Sequence, residues 1–278
     1  MFKLFGTGKL SLKRFLDVEE PITSISSLPV SVYEDEKLIN VIGIMLKKFR
    51  RIPIITHENH LKGIITISDI LDILGAGDKY EIFLKHRKNL NTPVSKFMNT
   101  NVRTIDKKMT ITEVFEIFKK DGTGGYPVVD RKKLIGMITE HDFVKNINRS
   151  LGVKICDVMV KKPFVVKEKY SLFDVAKMIH ISGFRRLPVT DGNILIGIVT
   201  ARDIVNYLYT KSKLDKIYLE KIKVKDIMNK NPVTIGPDKD VYEAVLLMKD
   251  KHVGGLPVVE ENDLIGIITE RDIIDILL

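Results

Sequence analysis

One seven-residue pattern recurs four times along this chain: Gly63-Ile-Ile-Thr66-Ile-Ser-Asp69, Gly136-Met-Ile-Thr139-Glu-His-Asp142, Gly197-Ile-Val-Thr200-Ala-Arg-Asp203 and Gly266-Ile-Ile-Thr269-Glu-Arg-Asp272. A proline precedes each glycine, at Pro53, Pro127, Pro188 and Pro257, by 10, 9, 9 and 9 residues. Further upstream, apolar residues fall at i, i+3, i+4 and i+7: Leu38/Val41/Ile42/Met45, Ile111/Val114/Phe115/Phe118, Leu172/Val175/Ala176/Ile179 and Val241/Ala244/Val245/Met248. That spacing places each set on one face of a helix. Self-similarity of this kind means one supersecondary unit used four times.

Each unit reads as a lead-in strand, the amphipathic helix, a strand through the proline, a second strand ending at the threonine, and a helix starting near the aspartate. This β-α-β-β-α plan belongs to the α/β (α+β) class. The two central strands read as a hairpin; in the third unit they flank Asp191-Gly192-Asn193, which has Gly/Asn turn chemistry. A unit of about fifty residues is marginal alone, so the copies are expected to pack together. Long connectors separate units 1 and 2 (residues 75–97) and units 3 and 4 (206–225), while 2 and 3 are joined by a short stretch around Leu151 to Ile155. We therefore expect two tandem modules, with units at 26–75, 98–149, 155–208 and 226–278, an N-terminal segment 1–25, and linkers 76–97 and 209–225. The halves are themselves alike. Phe49-Arg50-Arg51-Ile52-Pro53 matches Phe184-Arg185-Arg186-Leu187-Pro188, and Gly124-Gly125-Tyr126-Pro127 matches Gly254-Gly255-Leu256-Pro257.

Composition narrows the functional classes. The single cysteine, Cys156, cannot form an internal disulfide, and no Cys/His spacing suggests a metal, so a reducing cytoplasm fits. No apolar run approaches the roughly 18 residues of a membrane helix, and Met1 to Leu16 reads as neither signal nor anchor. The net charge of +9 resides largely in the connectors, with +3 in residues 76–97 and +4 in residues 211–230. Gly6-Thr-Gly8-Lys9 lacks P-loop spacing, Gly75-Ala-Gly77 reads as a helix C-cap, and no nucleophile–base motif is visible, so no enzyme activity is expected.

The proline-centred strand followed by G-h-h-T-x-x-D, four times over, resembles CBS domains. Four in one chain resembles the γ subunit of AMP-activated protein kinase and its archaeal homologues. The resemblance implies two Bateman modules forming a disc whose inter-repeat clefts hold AMP, ADP or ATP, with phosphates facing a shared centre. Ribose-binding aspartates would then be Asp69, Asp142, Asp203 and Asp272, accompanied by Thr66, Thr139, Thr200 and Thr269. All four copies carry the aspartate, whereas one γ-subunit repeat normally lacks it.

The residue chemistry is compatible with that role. A carboxylate has two acceptor oxygens for the two hydroxyls of a ribose diol. Thr-x-x-Asp before an apolar helix is equally the capping-box pattern, and a helix N-terminus can also attract phosphate. Phosphate ligands are expected among Arg50, Arg51, Arg185 and Arg186, and among His141, Arg202 and Arg271, which immediately precede three of the aspartates; solvated surface charge is the plainer alternative. His252, before the second Gly-Gly pair, is a further phosphate candidate, although a lone loop histidine is more often simply solvated. Ser31, Thr104 and Thr234 occupy matching lead-in positions, where strand propensity is the alternative and the third unit has Val165. Adenine is expected against apolar side chains and backbone beside Ile52, Tyr126, Leu187 and Leu256.

The leading expectation is thus a regulatory, non-catalytic adenine-nucleotide binder acting on a protein partner or as a homodimer. Two alternatives stand beside it: nucleic-acid binding through Lys85-His86-Arg87-Lys88 and Lys211 to Lys225, and S-adenosylmethionine in the same clefts, whose sulfonium needs no arginine cluster.

Overall fold

Every side chain of the four periodic sets is buried in the computed structural model, which describes residues 11–277. The reading of Gly6-Thr-Gly8-Lys9 lies outside the described residues. Unit 1 comprises β1 (Val32–Tyr33), α1 (Leu38–Lys48), β2 (Arg51–Ile55), β3 (Leu61–Thr66) and α2 (Ile67–Leu71), followed by α3 (Lys79–Lys85) in the connector. Unit 2 comprises β4 (Ile105–Asp106), α4 (Ile111–Asp121), β5 (Gly125–Asp130), β6 (Lys133–Thr139) and α5 (Glu140–Val144). Unit 3 opens with α6 (Ile155–Val158) and continues with α7 (Leu172–Ser182), β7 (Arg186–Asp191), β8 (Ile194–Thr200) and α8 (Ala201–Thr210), with α9 (Lys216–Lys221) in its connector. Unit 4 comprises α10 (Val241–Asp250), β9 (Gly255–Glu260), β10 (Asp263–Thr269) and α11 (Glu270–Ile276). Among the described residues no helix is long and apolar enough to cross a membrane.

Local chemistry explains most element ends. Capping boxes open α4 (Thr110 with Glu113), α7 (Ser171 with Asp174) and α10 (Asp240 with Glu243). Left-handed Gly122 and Gly183, at φ 66° and 72°, close α4 and α7. The hairpins β5–β6, β7–β8 and β9–β10 pair Asp130 with Lys133, Asp191 with Ile194 and Glu260 with Asp263, leaving two-residue loops. Arg131-Lys132 and Glu261-Asn262 take positive φ throughout, the handedness that matches strand twist, although the first pair carries no glycine or asparagine signal.

The units then assemble in two ways. Within a pair, each lends its lead-in backbone to the other's second strand. Asn99, ahead of β4 in unit 2, exchanges two 2.9 Å hydrogen bonds with Ile64 of β3, and Ser27, ahead of β1 in unit 1, does the same with Met137 of β6. Units 3 and 4 repeat the exchange through Asn229 with Ile198 and Val160 with Ile267. This reciprocity is why the motif glycine is needed. A Cβ on Gly63, Gly197 or Gly266 would lie 2.6, 2.9 or 3.0 Å from the carbonyl oxygen of Asn99, Asn229 or Val160. Helices make the other contacts. Ile42 and Ile70 share one core with Val175 and Ile204, whereas Phe118 and Phe143 share a second with Met248 and Ile274. Units 1 and 2 are therefore joined by strands, as are 3 and 4, while helices join 1 to 3 and 2 to 4, closing a ring of two modules. Leu12, Val18 and Ile22 of the N-terminal segment are buried in the second core.

Gly197→Ala is expected to destabilise the protein by about 1–3 kcal/mol, because the backbone of the exchanged segment cannot give way as a side chain would. Gly236→Ala, where the added carbon meets nothing closer than 4.0 Å, serves as the neutral comparison. Urea denaturation of the two variants checks the difference.

Candidate functional site

All four Thr-x-x-Asp segments form the same cap. In each, the threonine N–H and Oγ1–H both donate to one aspartate oxygen, Oδ2, at 2.7–2.8 Å. The capping reading and the ribose reading thus divide one carboxylate: Oδ2 belongs to the fold and Oδ1 is left for anything else. This corrects the expectation that both oxygens face a diol.

The four Oδ1 atoms are not equivalent. Asp69 Oδ1 accepts from Lys79 Nζ at 2.6 Å and Asn99 Nδ2 at 3.1 Å. Asp142 Oδ1 accepts from Lys145 Nζ at 2.6 Å and Ser27 Oγ at 2.9 Å. Asp203 and Asp272 have no such lysine, and among the described residues only their own threonines and helix backbone bond them. Burial pushes the pKa of both carboxyls up, against the opposing pull of the threonine hydrogen bonds.

Two clefts each carry one of these aspartates, Asp203 and Asp142, whereas Asp69 and Asp272 line neither. One, of about 250 Å³, lies between units 3 and 4 and is lined by Thr200, Asp203, Ile198 and Val253, with Arg50, Arg185 and Arg186. The other, of about 540 Å³, lies between units 1 and 2 and is lined by Asp142, Thr139, Leu28, Val30 and Phe49, with Arg50, Arg51 and Arg185. Arg50, Arg185, Arg202 and His252 line both, so the clefts meet at the ring centre.

At that centre the Arg-Arg pairs of the odd units converge on the Gly-Gly pairs of the even ones. Arg51 Nη1 donates to Gly124 O at 2.9 Å. A Cβ on Gly124 would sit 2.7 Å from Arg51 Nη2, and one on Gly254 2.6 Å from Arg186 Nη2. The glycines are there because the guanidinium groups fill the space a side chain would take. Two carboxylates that the sequence reading missed complete the cluster. Glu140 lies 3.7 Å from Arg185 and Glu270 lies 3.6 Å from Arg50, and the two residues are only 5% and 3% exposed. A signal for them existed, since only the Gly-Gly units have Glu directly after the threonine, where the others have Ile67 and Ala201. Burial and then repulsion from Arg185 lower the Arg51 pKa to about 10, while burial, Arg50 and Arg185 lower that of Arg186 to about 9. Burial raises the pKa of Glu140. Burial also pushes Glu270 upward, but a 2.7 Å hydrogen bond with His141 Nδ1 and the charges of Arg50, His141 and Arg186 hold it below its ordinary value.

Other expectations are redirected. Arg202 donates to the carbonyls of Met45, Leu46 and Phe49 at the end of α1, and Arg271 to those of Phe118 and Lys119 in the last turn of α4. These arginines tie helix C-termini across the two helical contacts, so most of their donors are turned away from a phosphate. Ile52, Tyr126, Leu187 and Leu256 are buried in the helical cores and offer no side-chain surface to a ligand. They point to the opposite face of their strands. Ser31, Thr104 and Thr234 stand one residue before the parallel pairings of Val32, Ile105 and Ile235 and line neither cleft. The basic connectors are partly self-neutralised: Lys79 is held on Asp69 and Lys88 pairs with Asp215 at 2.9 Å. Among the described residues no His, Cys, Asp and Glu side chains gather to hold a metal ion.

Two measurements test these assignments. Arg202→Ala should lower stability by about 1–3 kcal/mol in urea denaturation without ligand, as expected for charge-assisted bonds to helix carbonyls. The raised pKa of Glu140 means that the folded state binds the proton more tightly than the unfolded one, so stability is lost as pH rises through the window above the ordinary carboxylate value. Glu140→Gln should therefore lose less stability than the parent as pH rises above the ordinary carboxylate value, which urea denaturation at a series of pH values checks.

Comparison with known proteins agrees with this architecture. Residues 22–76, 94–149, 155–210 and 224–278 each match the CBS domain family. Protein MJ1225 of Methanocaldococcus jannaschii is 32% identical over 243 residues, covering 82% of this chain and 87% of that protein. A protein of Thermofilum pendens is 26% identical over 272 residues, covering 90% of each. The crystal structure of MJ1225, described as that of a proposed archaeal homologue of γ-AMPK, superposes with a TM-score of 0.84 at 30% identity, over 92% of this chain and 99% of that one. A Pyrococcus horikoshii protein shares the fold at a TM-score of 0.61 and 22% identity, over 93% of this chain and 100% of that one. The chain belongs to the CBS-domain family, as a four-repeat member similar in sequence and fold to MJ1225.

Proposed function

We propose that the protein is a non-catalytic regulatory subunit or sensor that binds adenine nucleotides, AMP, ADP or ATP, in the clefts between its repeats. The observation that carries this reading is the cleft between units 3 and 4, where a carboxylate oxygen without a lysine partner, Asp203 Oδ1, shares one cavity with four arginines, of which Arg50, Arg185 and Arg186 donate no side-chain hydrogen bond among the described residues. A nucleotide has the matching polarity, with a diol to donate at one end and phosphate to accept at the other, and Ile198 and Val253 supply apolar surface between. The arginine cluster also supports nucleotides over S-adenosylmethionine, which would bring a positive sulfonium toward it. Partial self-neutralisation of the connectors argues against nucleic acid as the main ligand.

Unequal occupancy follows. Asp203, inside its cleft, is the ready ribose acceptor, and Asp272, which lines neither of the two clefts, offers the same lysine-free oxygen, whereas Asp69 and Asp142 bind only when Lys79 or Lys145 moves away. Because the two clefts share Arg50 and Arg185, phosphate in one changes the field in the other, so their affinities are coupled. Such coupling is what a regulator acting on a partner protein, or within a homodimer, requires.

Isothermal titration with AMP, ADP and ATP tests the reading. Asp203→Ala and Asp272→Ala should each weaken binding at one site by at least about 10-fold, the size of a lost charge-assisted pair. Asp69→Ala, which loses the same helix cap, should leave nucleotide affinity nearly unchanged. Equal effects of all three would reduce the aspartates to caps.

A further inference from the structure

Glu140 and Glu270 have no part in helix capping or in the strand exchange. They are nevertheless buried at the point where phosphates would arrive under the nucleotide reading, on which the following inference rests. We propose that these two glutamates are specificity-determining residues: built-in anions that set the preference among adenine nucleotides against those with more phosphates.

The argument begins with charge. Four guanidinium groups, Arg50, Arg51, Arg185 and Arg186, face two carboxylates, leaving two positive charges in surplus when His141 is neutral. The glutamates neutralise without saturating. At 3.6 and 3.7 Å their contacts with Arg50 and Arg185 are ion pairs longer than hydrogen bonds, and among the described residues Arg50, Arg185 and Arg186 donate no side-chain hydrogen bond. The donors thus remain available to phosphate oxygens while half the charge is already balanced. Geometry shows that the arrangement is built in. The same two glycines that admit the arginines admit the glutamates, since a Cβ on Gly124 would lie 3.0 Å from Glu140 Oε2, and one on Gly254 2.6 Å from Glu270 Oε2. Gly-Gly and Glu therefore occur together, in the even units only. Each further phosphate brings negative charge toward carboxylates that cannot retreat into water, and the penalty grows with phosphate number because part-buried charges are weakly screened.

The test measures AMP, ADP, ATP and inorganic tripolyphosphate binding to the full chain and to Glu140→Gln, Glu270→Gln and the double variant by isothermal titration, with thermal melts to establish folding. Removal of one carboxylate should raise ATP affinity on the order of 10-fold, ADP affinity by less and AMP affinity least. Glu140→Asp and Glu270→Asp, which keep the charge, should keep the parental ranking. A gain equal for all three nucleotides, or no gain in folded variants, overturns the proposal. If no chain binds a nucleotide yet tripolyphosphate binds more tightly to the glutamine variants, the glutamate assignment stands and the adenine reading falls. If none of the four ligands binds any chain, both fall.

Discussion

Four guanidinium groups brought together out of bulk water repel one another, and the centre of this ring exists only because other groups offset that repulsion. The offset comes from Glu140 and Glu270, from a backbone carbonyl at Gly124, and from whatever anion the clefts admit. Burial first, and then repulsion among the guanidinium groups, depresses the pKa values of Arg51 and Arg186. The rest of the architecture serves the convergence. Strand exchange fixes units 1 with 2 and 3 with 4, helices fix 1 with 3 and 2 with 4, and the closed ring holds the Arg-Arg pairs of the odd units against the Gly-Gly pairs of the even ones. A chain whose modules splayed apart would leave the arginines solvated and the glutamates without partners.

The Thr-x-x-Asp segment shows how one side chain can serve fold and site together. The cap consumes Oδ2 in every unit and holds Oδ1 in a fixed direction. A preorganised carboxylate loses little freedom when a ligand arrives, so under the proposed ribose-binding role the cap would strengthen binding instead of competing with it. The lysines at Asp69 and Asp142 add a second layer. They pair with the Oδ1 that the cap leaves over, which makes the copies at Asp69 and Asp142 chemically distinct from those at Asp203 and Asp272 despite a shared motif.

Much of this was legible along the chain. The helix period gave the buried face of α1, α4, α7 and α10 residue by residue, and the spacing of Pro and Gly placed the hairpins. Alternation of Arg-Arg with Gly-Gly marked the positions that meet at the centre. Where the reading failed, strand geometry was the cause. Ile52, Tyr126, Leu187 and Leu256 sit beside the cluster in sequence, but alternation along a strand turns them into the helical cores, away from it. Arg202 and Arg271 recur at matching positions, as phosphate ligands would, yet recurrence is also what symmetric helix packing produces.

The sequence by itself determined the repeat, the class of fold, the four capped aspartates and the family, because these depend on periodicity and on hydrogen bonds between residues three apart. Only the tertiary structure decided which aspartate keeps an open oxygen, which arginines face the centre and which tie down helices, and that Glu140 and Glu270 stand among them. Those outcomes depend on partners far apart in the chain, such as Arg202 with Met45 at a separation of 157 residues. A local pattern carries no record of which distant group will arrive first at a given carboxylate or carbonyl.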